Sequence, residues 1–228
     1  METNNMIRIK RMILSIGILI VIAISISVLA SVQKESNIIK MPKSKVDISK
    51  LDIEIKQYQD LLKVHPKDEK LYYNIGICCM DKENYKEAED SFTKAIELKP
   101  DFASAYCNLG NVYLEQEKPE KAIEQYKKAL SLDSKHTRSY IGVGVCYYNI
   151  KKYKEAEEAL KKAIELNPTF SFTHYLLGLV YKETKQKDEA IKEFNKIIEI
   201  DNHAGEMVDK ALIELEKLGY KILKIKSE

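Results

Sequence analysis

The chain has few of the residues that interrupt helices. Its 228 residues include 8 glycines, 5 prolines, 4 histidines and 4 cysteines, and tryptophan is absent. Scarce Gly and Pro beside abundant Lys, Glu, Ile, Leu and Tyr are typical of helices that have a charged face and an apolar face. We therefore predict an all-α protein with almost no β structure.

A strong net charge is also lacking. Lys and Arg total 37 and Asp and Glu total 35, so the formal net charge is +2. This balance does not create the positive field that attracts nucleic acid, and we expect no nucleic acid among the partners. The length allows one ordinary domain plus an appendage, which excludes a large two-domain enzyme.

The sequence has no recognisable catalytic or cofactor motif. It contains no H-E-x-x-H, P-loop or G-x-S-x-G sequence, and the G-x-G of Gly142 and Gly144 has neither a third glycine nor a preceding strand. No histidine has a carboxylate or nucleophile at motif spacing; the four are His65, His136, His174 and His203. We predict no catalytic residues and no cofactor.

The cysteines form neither a metal pattern nor a disulfide pattern. They make no C-x-x-C pair and no combination with histidine that would bind zinc. Cys78 and Cys79 would point about 100° apart on a helix, which prevents a disulfide between them. We predict no metal site and interpret the four as small, buried apolar residues: Cys78, Cys79, Cys107 and Cys146.

One long apolar run follows a short N-terminal tail, residues 1–11. Residues 12–32, MILSIGILIVIAISISVLASV, carry no charge. About 20 apolar residues in a helix span a hydrocarbon core of roughly 30 Å, so we predict a single transmembrane helix. A signal peptide cleaved after Ala30 is the alternative, but the apolar region of a signal peptide normally has only about 7 to 15 residues.

Basic residues flank this run on both sides. Arg8, Lys10 and Arg11 precede it, and lysines also follow it. Because the N-terminal charges lie next to the helix end, and long domains translocate largely regardless of charge, we expect the N terminus inside and the remaining domain outside the cytoplasm. Residues 33–47 have no helical period and contain Pro42, which predicts a solvated tether.

A period of 34 residues dominates the rest of the chain. Each unit has a glycine, an alanine twelve residues later and a large residue four positions after that alanine. The glycines are Gly76, Gly110, Gly144 and Gly178, and the large residues are Phe92, Tyr126, Leu160 and Phe194. The period divides this part of the chain into residues 69–102, 103–136, 137–170 and 171–204.

This pattern resembles the tetratricopeptide repeat family over about residues 69–202. The resemblance implies that each unit is a pair of antiparallel helices, and apolar residues at i, i+3, i+4 and i+7 predict them near residues 68–80 and 85–98 of the first unit. Glycine inside a helix costs about 1 kcal/mol relative to alanine, so its recurrence predicts close approach of the paired helix. The predicted fold is an all-α, right-handed superhelical solenoid of four helix-turn-helix repeats with flanking helices, preceded by one transmembrane helix.

Amphipathic helices are predicted on both sides of the repeats. Residues 48–68 contain a degenerate half-repeat, whose helix runs from Ile48 to Val64. Residues 205–228 contain a capping helix from Glu206 to Leu218, which ends at Gly219 and precedes a short tail. The two helices would cover the ends of the stack.

The resemblance implies a concave groove lined by the first helices of successive repeats, the usual ligand site of the family. Ile141, Gly142 and Val145 stand where a clamp for a peptide carboxylate would need polar residues, so we expect no such clamp. An exposed apolar strip normally marks a binding site. The predicted groove residues are Tyr73, Ile77, Met80, Cys107, Asn111, Leu114, Arg138, Ile141, Val145, Tyr148, Phe172, Tyr175 and Leu179.

These features predict a non-enzymatic, membrane-tethered adaptor that binds a protein or peptide ligand, either an apolar helix or an extended segment, in the groove. Two alternatives stay open. The protein could be a structural subunit that self-associates in a membrane-associated assembly, or a chaperone-like accessory of secretion or of the envelope. The groove could also hold the chain's own tether or a second copy of the chain.

Overall fold

A computed structural model describes residues 38–42, 47–201 and 205–220, and these residues form ten helices and no strand. All ten helices belong to Ile39–Glu228, one of the two compact units of the chain. The helices are α1 (Ile48–Val64), α2 (Glu69–Asp81), α3 (Tyr85–Leu98), α4 (Ala103–Glu115), α5 (Pro119–Leu132), α6 (Thr137–Asn149), α7 (Tyr153–Leu166), α8 (Ser171–Glu183), α9 (Lys187–Ile200) and α10 (Glu206–Lys217).

The predicted transmembrane helix, residues 12–32, lies outside the described residues, as do the N-terminal tail and much of the tether. None of the ten helices combines the length and the apolarity that a membrane crossing requires. The predicted all-helical repeat architecture is confirmed for the described part of the chain, whereas the domain boundaries stay predictions.

Helices α2 and α5 begin at residues suited to starting a helix. The Asp68 carboxylate accepts hydrogen bonds from the backbone N–H groups of Lys70 and Leu71, at 2.9 and 3.4 Å, and so caps α2. Pro119 is the first residue of α5, where its missing N–H removes no helical hydrogen bond. These local signals explain why the helix starts lie close to the predicted positions.

The turn inside each repeat contains a non-glycine residue with left-handed backbone, φ 58° to 63°. These residues are Glu83, Glu117, Lys151 and Lys185. The residue after each one donates its N–H to the carbonyl five positions earlier, as in the 2.8 Å bond from Asn84 to Cys79. The same turn therefore reverses the chain four times and sets the two helices of every repeat antiparallel.

The recurrent glycines permit close contact between the paired helices. A Cβ atom placed on Gly110 would lie 2.7 Å from the ring of Tyr126 on the paired helix α5, and one on Gly142, in α6 of the next repeat, would lie 2.4 Å from the same ring. Equivalent contacts join the other three pairs, Gly76 with Phe92, Gly144 with Leu160 and Gly178 with Phe194. Any side chain at these positions would push the helices apart, which confirms the predicted close approach.

The first helices of the repeats, α2, α4, α6 and α8, form the inner row of the stack. Each contacts the next first helix, whereas in the described part of the chain no second helix (α3, α5, α7 or α9) contacts another. Elements on the inner side of a curved stack are closer together than those on the outer side. The first helices therefore form the concave face.

Helix α10 covers the last repeat. Val208, Ala211 and Leu215 are buried and belong to the core that continues from repeats two to four. The buried carboxylate of Glu214 accepts a hydrogen bond from Lys182 of α8 at 2.6 Å. The helix ends as predicted before Gly219, whose φ of 72° stops a helix at little steric cost.

Candidate functional site

A cavity of about 610 Å³ lies on the concave face, where α2, α4 and α6 meet. Its apolar lining is Tyr73, Ile77, Met80, Ile141 and Phe170, and its polar lining is Asp81, Asn108, Asn111, Glu115, Thr137, Arg138 and Asn167. Met41 and Pro42, from the tether, complete the wall. The lining of the cavity thus combines apolar and polar side chains.

A chain of hydrogen bonds forms the floor of the cavity. The Tyr126 hydroxyl donates to Asn111 Oδ1 at 2.7 Å, Asn111 Nδ2 donates to Asn108 Oδ1 at 3.3 Å, and Asn108 Nδ2 donates to the Tyr73 hydroxyl at 2.9 Å. Both asparagines are buried. Their paired amides avoid the cost of burying polar groups without partners and hold the Tyr73 side chain in place.

Tyr73 connects this floor to the apolar wall. Its ring lies 4.8 Å from that of Phe102 and 5.7 Å from that of Phe92, measured between ring centroids. Burial raises the pKa of Tyr73, so its hydroxyl stays neutral at physiological pH. The cavity wall at this point is a rigid, uncharged aromatic surface.

Charge in the cavity comes mainly from Arg138 and the carboxyl groups of Asp81 and Glu115. Arg138 is exposed, and no described carboxylate lies within 4 Å of it. It also lines an adjoining 230 Å³ cavity together with His136, whose pKa is lowered chiefly by burial. A ligand in the groove would therefore meet both signs of charge beside apolar side chains.

Part of the tether occupies one side of this groove. The Ile39 N–H donates to Asn149 Oδ1 at 2.9 Å, and Asn149 Nδ2 donates to the Ile39 carbonyl at 2.8 Å. Lys40 Nζ lies 3.2 Å from Glu115 Oε2. Residues 39–42 have no helical structure, and Ile39 and Met41 pack against the core.

Six of the predicted groove residues line the larger cavity, namely Tyr73, Ile77, Met80, Asn111, Arg138 and Ile141. Cys107 is buried and lines only the adjoining cavity. Burial raises the pKa of its thiol to about 11, which keeps it protonated. Binding of a ligand by these residues stays a prediction.

The expected exposure of the remaining predicted residues is partly wrong. Leu114 and Val145 are core residues, 1% and 0% exposed, and Phe172 and Leu179 are also buried. Neighbouring first helices pack side by side, so residues on their flanks contact the next helix instead of the groove.

Two further tyrosines of the predicted groove are half-buried away from the cavity lining. The Tyr148 ring lies 5.8 Å from that of Tyr153, in an edge-on arrangement. The Tyr175 ring lies 6.0 Å from that of Phe194. Each packs on a second helix of its own repeat.

Several residues of the groove were not predicted from the sequence. Asn149 and Glu115 contact the tether, and Asn108, Thr137, Asn167 and Phe170 line the cavity. A signal was present at the last positions of the first helices, which are 34 residues apart: Asp81, Glu115, Asn149 and Glu183. These end positions are polar in every repeat, but the predicted groove residues stopped one position before them, at Met80, Leu114 and Tyr148.

The fold and the groove define an all-helical repeat protein with an open concave face. Models of the tetratricopeptide repeat match residues 67–135 and 101–169, and a second such model matches residues 159–192. Together these matches span more than half of the chain. The chain belongs to the tetratricopeptide repeat family, whose members are generally non-enzymatic scaffolds.

Solved structures show the same fold. MamA is 27% identical, with a TM-score of 0.62 over 68% of this chain and 90% of MamA. YrrB, a tetratricopeptide repeat protein with an unusual peptide-binding site, is 24% identical, with a TM-score of 0.59 over 75% of this chain and 85% of YrrB. A tetratricopeptide repeat protein of Thermus thermophilus is 17% identical, with a TM-score of 0.63 over 74% of this chain and 92% of that protein. Comparison with functionally curated proteins finds no match.

Proposed function

We propose that this protein is a binding scaffold that holds a segment of another protein in the cavity of α2, α4 and α6. The observation that carries the proposal is the 610 Å³ cavity, which is lined by the partly exposed side chains of Tyr73, Ile77 and Met80. Partly exposed apolar side chains in a concave site favour burial against a protein segment. YrrB, which shares the fold, has a peptide-binding site.

An extended segment fits the observations better than a helix. Residues 39–42, which already lie against the cavity, are not helical and use backbone groups for hydrogen bonding. An extended segment leaves its backbone N–H and C=O groups available to side chains, whereas a helix uses them internally.

Substitution of Ile77 tests this function. An array of synthetic peptides of varied sequence is probed with the full-length chain, the Ile77→Glu variant and a Leu132→Glu control. Leu132 is an exposed residue of α5, away from the cavity. We expect Ile77→Glu to weaken peptide binding by at least about tenfold, because a bound peptide would bury the new carboxylate at a cost in free energy. The Leu132→Glu control should bind the peptides as the wild type does. Equal capture by all three proteins would contradict the proposal.

We also propose that residues 12–32 tether the repeats to a membrane and that the repeats lie outside the cytoplasm. The uncharged run of this length and the basic residues before it support the proposal. With a tag at Glu228, the full-length protein should stay in the membrane fraction at alkaline pH, and protease added to intact cells should remove the tag. Recovery in the soluble fraction would contradict tethering, and protection until lysis would contradict the orientation.

Self-association is the second candidate, because α1 exposes apolar side chains. Ile48, Ile53, Leu61 and Val64 are all exposed although they are large and apolar. Exposed apolar groups on one helix favour contact with another surface. Light scattering of the full-length protein in detergent distinguishes the two candidates, since a scaffold of this kind is monomeric and a structural subunit is oligomeric.

A further inference from the structure

One asparagine side chain pairs with both backbone groups of a tether residue. Asn149 accepts from the Ile39 N–H at 2.9 Å and donates to the Ile39 carbonyl at 2.8 Å. A side-chain amide has one acceptor and one donor side by side, which matches the N–H and C=O of a single extended residue. Asn149 therefore selects a residue with an extended backbone, whichever side chain that bound residue carries.

The next tether residue places a positive charge at a buried carboxylate. Glu115 has a side chain that is only 7% exposed, and it lies 3.2 Å from Lys40 Nζ. The Tyr85 hydroxyl donates to the same carboxylate at 3.2 Å. Because a carboxylate removed from water needs a cation or hydrogen-bond donors, this position favours a basic residue in the bound segment.

The order of these contacts defines the direction of the segment. Ile39 contacts Asn149 of repeat three and Lys40 contacts Glu115 of repeat two, and Met41 and Pro42 line the cavity formed by the first three repeats. From Ile39 to Lys40 the segment thus runs opposite to the order of the repeats. An apolar residue, a basic residue and a second apolar residue occupy successive positions along it.

The charges of the groove edge and of the tether are complementary. The last residues of the first helices of repeats one and two, Asp81 and Glu115, are acidic and line the cavity, and the last residue of the first helix of repeat three, Asn149, binds the tether backbone. The tether carries lysines at positions 34, 40, 43 and 45 and acidic residues at positions 35 and 47, so its net charge is positive. The contact of Lys40 with Glu115 favours this alignment over others.

We infer that residues 39–42 are a built-in ligand of the groove, and that the external partner is an extended segment of the same apolar–basic–apolar chemistry that must displace them. The part concerning the partner rests on the proposed scaffold function. Docking in cis is favoured because a short linker gives an effective concentration of about 1 mM. A segment with an intrinsic Kd of about 0.1 mM would then stay docked about 90% of the time and weaken external binding about tenfold.

Hydrogen exchange tests the docking of the tether. In the full-length protein, we expect the Ile39 amide to exchange at least about tenfold more slowly than an unprotected amide, as occupancy of about 90% requires. Asn149→Ala should abolish this protection. Glu183→Ala, at the equivalent position of repeat four, is the matched control and should retain it. An unprotected Ile39 amide in the wild type would overturn the inference, and so would protection that falls on dilution, because the segment would then lie in a second copy.

Binding of a labelled peptide tests the competition. The probe is a fluorescent peptide with the sequence of residues 37–44, NIIKMPKS, and binding is followed by anisotropy. The variant Ile39→Pro/Lys40→Glu removes the backbone donor and reverses the charge of the tether without altering the repeats. We expect the peptide to bind this variant about tenfold more tightly than the wild type, and adding Asn149→Ala to reduce that binding about tenfold.

These experiments distinguish failure of the tether inference from failure of the proposed scaffold function. Equal affinity for the wild type and the tether variant would overturn the inference, and so would equal binding of a peptide with glutamate in place of the lysine that corresponds to Lys40. The scaffold function would stand in both cases if the peptide array still shows capture that depends on Ile77. If the array shows no such capture even with the tether variant, the scaffold function fails, while hydrogen exchange still decides whether the tether docks.

Discussion

At the scale of single residues, His174 differs most from its counterparts in the other repeats, which have tyrosine. Its Nδ1 lies 2.7 Å from Glu193 Oε2 and its Nε2 lies 3.0 Å from the Pro168 carbonyl. Both partners are acceptors, so both bonds form only when the ring carries two protons. Burial lowers the pKa of His174, but the hydrogen bonds to Glu193 and Pro168 and the charge of Glu193 outweigh it and raise the pKa above its usual value.

A raised pKa of His174 predicts a stability that depends on pH. The charged ring should contribute about 1 to 2 kcal/mol to the free energy of unfolding below the unfolded pKa of about 6.5, and lose this contribution as pH rises through the folded pKa. The matched variant is His174→Tyr, because Tyr72 donates to the equivalent Pro66 carbonyl at 3.4 Å. Urea unfolding at several pH values measures the effect.

The difference in stability between wild type and His174→Tyr should therefore change in favour of the wild type as pH falls from about 9 to about 6. A difference that is constant over this range would show that folding does not raise the pKa of His174.

At the scale of the helices and turns, the left-handed residues inside the repeats carry strain. Glu117 has a φ of 58°, which is unfavourable for a residue with a Cβ atom. Glu117→Gly should raise the free energy of unfolding by about 0.5 to 1 kcal/mol, because glycine adopts this backbone without steric cost. Equilibrium unfolding in urea provides the measurement.

The matched control for this turn is Lys127→Gly, at an exposed position inside α5. Glycine there should lower the free energy of unfolding by about 1 kcal/mol, since it weakens a regular helix. If both glycine substitutions destabilise the protein equally, the turn at Glu117 is not strained.

At the scale of the whole molecule, the stack depends on contacts between neighbours and on its terminal helix. Leu215 of α10 is fully buried, whereas Ile213 of the same helix is 52% exposed. Leu215→Ala should reduce stability by about 2 to 5 kcal/mol through a cavity in the core. Ile213→Ala is the control, and its effect should stay within about 0.5 kcal/mol.

The loss of stability caused by Leu215→Ala should be greatest near α10, at the C-terminal end of the stack. In repeat proteins each unit contacts mainly its neighbours, so hydrogen exchange should accelerate more in α8 and α9 than in α2. Equal acceleration in all helices would instead show that the stack unfolds as a single cooperative unit.

Most of the repeat architecture was predictable, because its causes are local or periodic. The 34-residue spacing locates each glycine opposite its large partner, as the contact of Gly110 with Tyr126 shows. The helix from Ile48 to Val64 was predicted from its own apolar period. The left-handed turns were not predicted, since residues such as Glu117 and Lys151 lack the glycine that usually signals this backbone.

The groove was predicted less well, because its surface depends on the spacing between helices. The sequence placed Leu114 and Val145 on the first helices but did not show that neighbouring first helices would cover them. It also did not show that Asn149 would bind Ile39, which is 110 positions away. No periodic signal connects a residue of the tether with a residue of the third repeat.

The sequence by itself determined the composition of the repeats, their helices and the residue pairs that join them, because a side-chain pattern with a constant period specifies which faces must be buried. The tertiary structure alone decided which side chains of the concave face stay accessible and where the tether lies. These features arise from how far apart packed helices lie and from contacts between distant parts of the chain, and neither is encoded at a fixed spacing.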